Sequence, residues 1–352
     1  MTLNKAKNMY SADRILVGNH MLSGSVLIAR ESGIESIVDR NAVSPASKTV
    51  DFPGLIIAPL FCDYHLHFFS QRQEQVLATA EQLLSHGITA AHDGGDPVMC
   101  GLQAREELCK QLRIVTCGYA LYKAGGYGSY IGRAVIDLQE ARQRIDELCE
   151  NQADYLKVIG SGIFNPADGQ ISQGGFKPDE LAEIVNYAAG CGLRTACHVN
   201  GGEKIQEAVS AGVDEIIHGL GVTADTLKEM CERGTALIPT INAFQGLARM
   251  TAKKEALQNI ELALDLHLAA VAAAHSLGVR VLPGSDAGAS YLPYGESYIQ
   301  ELRALHSAGI PIEEVLALAS AAPFQKGMPA EFVVLNGLNI KHVIRQGQDL
   351  IV

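Results

Sequence analysis

From Leu60 to Gly288 the chain keeps returning to one two-part unit: a short apolar run ending in small or polar residues, then a longer stretch with apolar residues at helical spacing. After Leu60 to Phe68 the runs are GITAAHDGG, RIVTCGYA, DYLKVIGSG, RTACHVNGG, DEIIHGLG, TALIPTIN and VRVLPGSDAG. The helical segments between them include Glu74 to Ser85, Leu138 to Glu150, Pro178 to Cys191, Glu203 to Ala211, Thr223 to Arg233 and Leu257 to Leu277. Strands alternating with helices in this way predict an α/β fold of the parallel (β/α)8 TIM-barrel type, in which strands read as apolar runs because both faces are covered. An open doubly wound sheet is the alternative. Pro239 inside the seventh run is a local objection to a strand there, since proline has no N–H for the ladder.

The two ends of the chain are written differently. SVLIAR, IESIVD and TVDFPGLIIA near the start, and EFVVLNG and IKHVIRQGQDLIV near the finish, are extended pieces separated by turn residues, with Gly347 in a turn between two apolar strands. Because chain ends often meet, residues 1–58 and 329–352 are expected to form a small β-sandwich flanking a barrel of residues 59–328. Nearly half of the 352 residues are hydrophobic, enough for a large core. The net charge of -11 and the lack of any Lys/Arg cluster exclude nucleic acid as an expected partner. No apolar run has the length of a membrane span, and MTLNKAKNMYSADRILVG lacks the apolar core of a signal peptide. The eight cysteines are scattered singly, with no CxxC pair, and read as buried free thiols of a cytoplasmic protein.

In a barrel of this kind the chemistry sits at the C-terminal ends of the strands. His65 and His67 end the first run, Lys157 lies in the fourth, His198 ends the fifth, His218 the sixth and Asp286 the eighth. On a strand, residues two apart share a face, so His65 and His67 point the same way. Each of these groups alone has a plainer explanation. A single histidine is often a satisfied core residue, and Asp286 in PGSDAGA suits a turn or a helix cap. Lys157 is harder to place, flanked by Leu156, Val158 and Ile159 with no acid beside it. An isolated buried ionisable group costs several kcal/mol unless paired or coordinated, and six of them at one rim point to metal binding. Nitrogen and oxygen donors of this kind suit zinc, with manganese, iron or cobalt as alternatives, and a two-metal site would generate hydroxide at neutral pH.

APLFCDYHLHF, YLKVIGSG, TACHVNGG, DEIIHG and LPGSDAG, in this order, resemble the amidohydrolase superfamily, and most closely its imidazolonepropionase-related and Xaa-Pro dipeptidase-like branch. The resemblance covers nearly the whole chain. It implies that His65, His67 and Asp286 hold one divalent metal, that His198 and His218 hold a second, and that a carboxylated Lys157 bridges them. A lysine kept neutral by desolvation can take up CO₂, and the carbamate's two oxygens can bind two cations. The implied mechanism is attack by a metal-bridging hydroxide on a polarised carbonyl, with Asp286 passing the proton to the leaving nitrogen.

The expected activity is therefore hydrolysis of a C–N amide bond in a dipeptide, an N-acyl amino acid or a cyclic amide, in a small-molecule enzyme compatible with a homo-oligomer. A mononuclear deaminase or imidazolonepropionase-like ring hydrolase is the second enzyme class, and a non-catalytic amidohydrolase-fold scaffold the rival from outside catalysis. The glycines of KAGGYGSYIG fit no phosphate-loop spacing and suit a loop over the barrel mouth, with Tyr127 and Tyr130 as substrate-contact candidates. Relatives in this branch tend to carry histidine at the Tyr127 position and often arginine at the His92 position. His92, Tyr291 and Tyr294 are further pocket candidates, while Glu203 stands too far from His198 for the HxxE pattern of related deaminases. The join from Ala322 to Glu331 is shorter than in relatives and falls on the sandwich side.

Overall fold

The computed structural model describes residues 8–30, 33–44, 47–69 and 73–350. The amino-terminal residues 1–7 and residues 351–352, at the end of the run IKHVIRQGQDLIV, lie outside them. The strands in chain order begin with β1 (Asn8–Val17), β2 (His20–Ser23), β3 (Ser25–Arg30), β4 (Gly33–Asp39) and β5 (Val50–Pro59). There follow β6 (Phe61–Leu66), β7 (Ile88–Asp93), β8 (Arg113–Thr116), β9 (Ala120–Lys123), β10 (Gly132–Val135), β11 (Tyr155–Ile159), β12 (Phe164–Asn165) and β13 (Gln170–Ile171). The last are β14 (Arg194–Val199), β15 (Glu215–His218), β16 (Ala236–Ile238), β17 (Phe332–Asn336), β18 (Asn339–Arg345) and β19 (Gln348–Asp349). The chain divides into a unit of Met1–Cys62, Glu81–Thr89 and Pro311–Val352 and a unit of Asp63–Ala80 and Ala90–Ile310.

In the first unit the terminal strands share one hydrogen-bonded sheet in the order β19-β18-β17-β5-β1-β3-β4, with β2 on β1. The carboxy-terminal β17 runs antiparallel to β5, Phe332 opposite Pro59, while β5 lies parallel to β1. Strand alternation sends Tyr10, Ile15, Leu27, Ile34, Phe52, Ile57, Phe332, Val334 and Ile344 into one core, where Tyr10 meets Phe332 edge-on at 4.9 Å.

The second unit is a mixed α/β structure in which the sheet β10-β9-β11-β14-β15-β16 and the sheet β6-β7-β8 alternate with helices, as the sequence pattern predicts. Lys157 stands opposite Ala196 and Ala120, and His198 opposite Ile159 and Ile217, in parallel register. The third apolar run is split at Cys117–Tyr119: β8 pairs with β7 while β9 pairs with β11, and Asp154 N–H reaches Thr116 O at 2.8 Å. A core of Cys117, Tyr155, Ala196, Ile217, Ala236, Ile238 and Leu282, joined by Tyr64 and Val115, takes a side chain from nearly every one of these runs. Helix starts follow local chemistry. Asp137 caps Leu138–Glu150 by accepting from Glu140 N–H at 2.8 Å, and Thr223 caps Ala224–Arg233, which ends at Gly234 in the left-handed conformation.

Two expected strands are shorter than the sequence suggests. β16 stops at Ile238, because Pro239 has no N–H to continue the ladder, and the Pro239 carbonyl instead accepts from His267 Nε2 at 2.8 Å. The eighth run is held by single bridges, Val281 to Leu237 and Ala287 to Leu66, since Pro283 and Gly284 interrupt it. Further helices are Cys100–Leu108, Ile241–Met250, Glu296–Ser307 and Ile312–Ala319. Among the described residues no helix is long and apolar enough to cross a membrane.

Glycine tests this packing at two contrasting places. A Cβ on Gly101 would fall 1.9 Å from Asp93 Oδ2 and 2.5 Å from Thr116 Oγ1, whereas one on Gly190 meets nothing within 4 Å. Gly101→Ala is expected to destabilise the fold by about 1–3 kcal/mol through overpacking, and Gly190→Ala to stabilise it by about 0.4–1 kcal/mol. Urea midpoints of the two variants, measured against the parent, check both signs.

Candidate metal centre

The C-terminal end of β6 brings His65 and His67 to one place because their side chains share a face; their rings lie 5.0 Å apart. Backbone bonds fasten this segment to the eighth run: Tyr64 N–H to Pro283 O at 2.9 Å, Asp286 N–H to His65 O at 2.8 Å, and His67 N–H to Ala287 O at 2.8 Å. The approach demands a glycine at 284, where a Cβ would stand 2.5 Å from Ile238 Cγ2 and 2.8 Å from His65 Cβ. Asp286, at φ 55°, turns its carboxylate back, so that Oδ1 lies 3.2 Å from His65 Nε2 and 3.7 Å from His67 Nε2. One donor atom from each of these three residues falls within 4.8 Å of the other two.

Lys157 reaches the same point from the middle of β11. It is 1% exposed, and Nζ lies 3.3 Å from His65 Nε2. Burial pulls its pKa down, which favours a neutral amine. His198 and His218 complete the cluster, with rings 4.6 Å apart and His218 6.0 Å from His65. Burial lowers the pKa of all four histidines, that of His198 to about 4, so each ring is a neutral base at physiological pH. Three of them have one ring nitrogen engaged: His67 Nδ1 with Gly95 O at 3.1 Å, His198 Nε2 with Gly162 O at 3.3 Å, and His218 Nδ1 with Thr240 Oγ1 at 2.6 Å. A neutral imidazole that donates through one nitrogen keeps a lone pair on the other. The donor set therefore fits divalent metal: four neutral imidazoles, a carboxylate and a buried amine, with tied nitrogens fixing the rings. Gly94 adds a cradle, since a Cβ there would sit 2.5 Å from His67 Cε1 and 2.8 Å from Lys157 Nζ.

The remaining sequence candidates fall into two groups. Tyr127, Tyr130 and Tyr291 gather on the open side. The Tyr127 ring is 5.1 Å from His198, its hydroxyl bonds that of Tyr130, and Tyr130 lies 6.0 Å from Phe69, which stacks on His67 at 4.6 Å. Burial and then the Asp286 charge push Tyr291 up to about 12, so it stays a hydroxyl donor. Tyr294 donates to His67 O at 2.6 Å and holds the strand end. His92 has its ring 5.1 Å from Tyr64 and 6.5 Å from Tyr155, with burial and Arg113 lowering its pKa to about 4, and its charge acts on His65. Glu203 lines a cleft of about 660 Å³ beyond β11 and β14, with Ser161, Asn200 and Lys204.

Sequence reasoning missed the residues that hold these groups in place. Asp63, fully buried, accepts from Ser285 N–H at 2.9 Å, Ser285 Oγ at 2.5 Å and His65 N–H at 3.2 Å; burial pushes its carboxyl up to about 7 against these bonds. Asp93 accepts from Thr116 Oγ1 at 2.7 Å and Phe68 N–H at 3.1 Å. The one sequence signal was the spacing of Asp63, two residues before His65 and so on its face of the strand.

The Amidohydrolase family profile matches residues 52–326. An uncharacterized protein of Mycobacterium tuberculosis is 30% identical over 287 residues, covering 76% of this chain and 73% of its own. Ochratoxinase of Aspergillus niger is 25% identical over 197 residues, 55% of this chain and 40% of that enzyme. Among solved structures, a Xaa-Pro dipeptidase with methionine bound in its active site superimposes with a TM-score of 0.80 at 19% identity, covering 98% of this chain and 99% of that one. Aspergillus niger ochratoxinase gives 0.76 at 18% identity, covering 98% and 96%. The family profile, spanning the strands that carry all six clustered residues, shows that the chain belongs to the amidohydrolase family, as a hydrolase acting on C–N bonds.

Proposed function

We propose that this hydrolase is a binuclear metal enzyme that cleaves an amide bond in a dipeptide, an N-acyl amino acid or a cyclic amide. The observation that carries this reading is the position of Lys157 Nζ, 3.3 Å from His65 Nε2 and among three more neutral imidazoles. His65, His67 and Asp286 would hold one ion, His198 and His218 the other, and Lys157 would bridge them as a carbamate. The carbamate forms when the neutral Nζ lone pair adds to CO₂ and the nitrogen gives up one proton. Bound divalent ions, zinc by preference with manganese, iron or cobalt as alternatives, supply Lewis acidity and a water acidic enough to deprotonate near neutral pH. Asp286, 22% exposed, can accept the proton of the attacking water and deliver it to the leaving nitrogen. Tyr127, Tyr130 and Tyr291 line the approach and orient the substrate by hydroxyl and ring contacts.

The three-residue group His65, His67 and Asp286 offers donor atoms enough to hold one ion, which supports a second reading: a mononuclear deaminase or ring hydrolase with an unmodified Lys157. On either reading the hydrogen bonds across Leu237–Leu282, Tyr64–Pro283 and Thr116–Asp154 support closure of the two parallel sheets into the eight-stranded barrel expected for residues 59–328. The shared core of the terminal strands likewise supports a sheet folded over as a small sandwich of residues 1–58 and 329–352. A net charge of -11 supports a small-molecule substrate without a nucleic-acid partner, and the free thiols suit the cytoplasm; self-association into a homo-oligomer is compatible with all of this.

Metal analysis of protein purified with bicarbonate is expected to give two divalent ions per chain and a mass increase of one CO₂ on Lys157. Lys157→Ala should lose the mass increase and at least one ion, and amide hydrolysis across a panel of N-acyl amino acids and dipeptides should fall by a factor of about 10² or more, as for loss of a transition-state electrostatic contact. One ion with an unmodified lysine would decide for the mononuclear reading. Removing metal by chelation should also lower the melting temperature, because ions bound only to the folded state stabilise it, by about 2.7 kcal/mol at a free concentration 100 times the Kd. Calorimetry with and without added zinc checks this.

A further inference from the structure

Glu301, on the helix Glu296–Ser307, is 0% exposed and has no place in the chemistry described so far. Its carboxylate accepts from Asn242 N–H at 2.7 Å, and the Ile241 N–H is directed at the same group. These are the first two N–H groups of the helix Ile241–Met250, donors that a helix cannot satisfy from within. Oε1 of the same carboxylate is buried with no hydrogen-bond partner. A half-satisfied buried carboxyl is a liability for stability, so its presence calls for another role.

The role follows from what Thr240 does. Threonine at a helix N-cap ordinarily accepts from the second or third backbone N–H with its own hydroxyl. Thr240 occupies that position, yet at φ 47° its side chain makes no capping bond. Its Oγ1 lies instead 2.6 Å from His218 Nδ1. A glutamate on a different helix thus does the capping, and the threonine hydroxyl is released to the histidine.

We propose that Glu301 is a positioning residue: by capping Ile241–Met250 in place of Thr240 it frees the Thr240 hydroxyl to accept from His218 Nδ1–H, fixing the tautomer that leaves the His218 Nε2 lone pair open. The consequence for metal rests on the reading of His218 as a ligand, whereas the consequence for the tautomer does not. Partners that hold the far nitrogen of a ligating histidine typically change metal affinity by about 10- to 100-fold when removed.

The test uses the full chain with ¹⁵N-labelled histidine, its His218 signals assigned by comparison with His218→Gln. In metal-free protein the ¹⁵N shifts should report Nδ1 protonated and Nε2 unprotonated in the parent, in Thr240→Ser and in Glu301→Gln, whose amide oxygen still accepts. Thr240→Val and Glu301→Leu should both move toward the opposite tautomer, and the double variant should move no further than Thr240→Val alone. Glu301→Met serves in place of Glu301→Leu should the latter not fold. Chelator competition should show one ion bound about 10- to 100-fold more weakly in Glu301→Leu and Thr240→Val, with the other unchanged. A folded Glu301→Leu or Met variant, or Thr240→Val, that keeps the parent tautomer overturns the inference. Should the parent bind a single ion while the tautomer responds as described, the inference stands and the binuclear reading fails.

Discussion

A primary amine held at 1% exposure among imidazoles is the constraint on which the centre depends. Lys157 Nζ has His65 Nε2 as its hydrogen-bond partner and no carboxylate within bonding distance among the described residues, although the Asp286 charge acts on it. Leaving it charged there would cost several kcal/mol without a partner, so burial drives it toward the neutral amine. The same burial keeps all four histidines neutral. The result is a concentration of lone pairs with one carboxylate, a set of groups that repel no cation and satisfy one another poorly. Such a cluster is stable in proportion to the cation it can collect, which ties metal binding to folding.

The fold meets this cost by spending backbone and buried carboxyls on orientation. Gly95 and Gly162 carbonyls and the Thr240 hydroxyl hold three rings, while Asp63 clamps Ser285 and the His65 amide so that Asp286 follows at a fixed offset. His218, Thr240 and Asp286 all have positive φ, a conformation costing about 1–3 kcal/mol for residues other than glycine. Strain at two proposed ligands and at the residue that holds one of them is localised where geometry matters for chemistry. The surrounding parallel strands, apolar on both faces, supply the rigidity that maintains it.

How far the sequence carried this picture depends on the range of the interaction. The alternation of runs is a local signal, and it placed His65, His67, His198, His218 and Asp286 at strand ends and Lys157 within the fourth strand, and the six side chains do converge. Pro239 and Pro283 shortened the seventh and eighth runs for a reason also visible in the sequence. His92, a pocket candidate from its place after the second run, has its ring 5.1 Å from Tyr64 and 6.5 Å from Tyr155, and its charge acts on His65. Asp63 with Ser285, 222 residues apart, and Glu301 with Asn242, 59 apart, are partnerships no periodicity encodes. In the helix Glu296–Ser307 the buried Glu301 breaks the polar-out pattern, and no spacing along the helix tells that its partner is the start of another one.

Where substrate choice resides follows from what is free to vary. The strand ends cannot shift without losing the bonds that fasten β6 to the eighth run, nor can Gly94 or Gly284 accept a side chain without displacing His65. Tyr127 and Tyr130 come from the turn joining β9 to β10, and Tyr291 from the loop after Asp286. The Tyr127 and Tyr130 hydroxyls bond each other and Tyr130 lies against Phe69, so the side chains these loops supply are aromatic and uncharged. A family that keeps its bond-breaking groups on strands and its contacts on loops can change substrate without disturbing the centre. In this chain the cost of rearranging a buried amine and four neutral imidazoles makes that division necessary, since any substitution among them leaves an unpartnered group in the core.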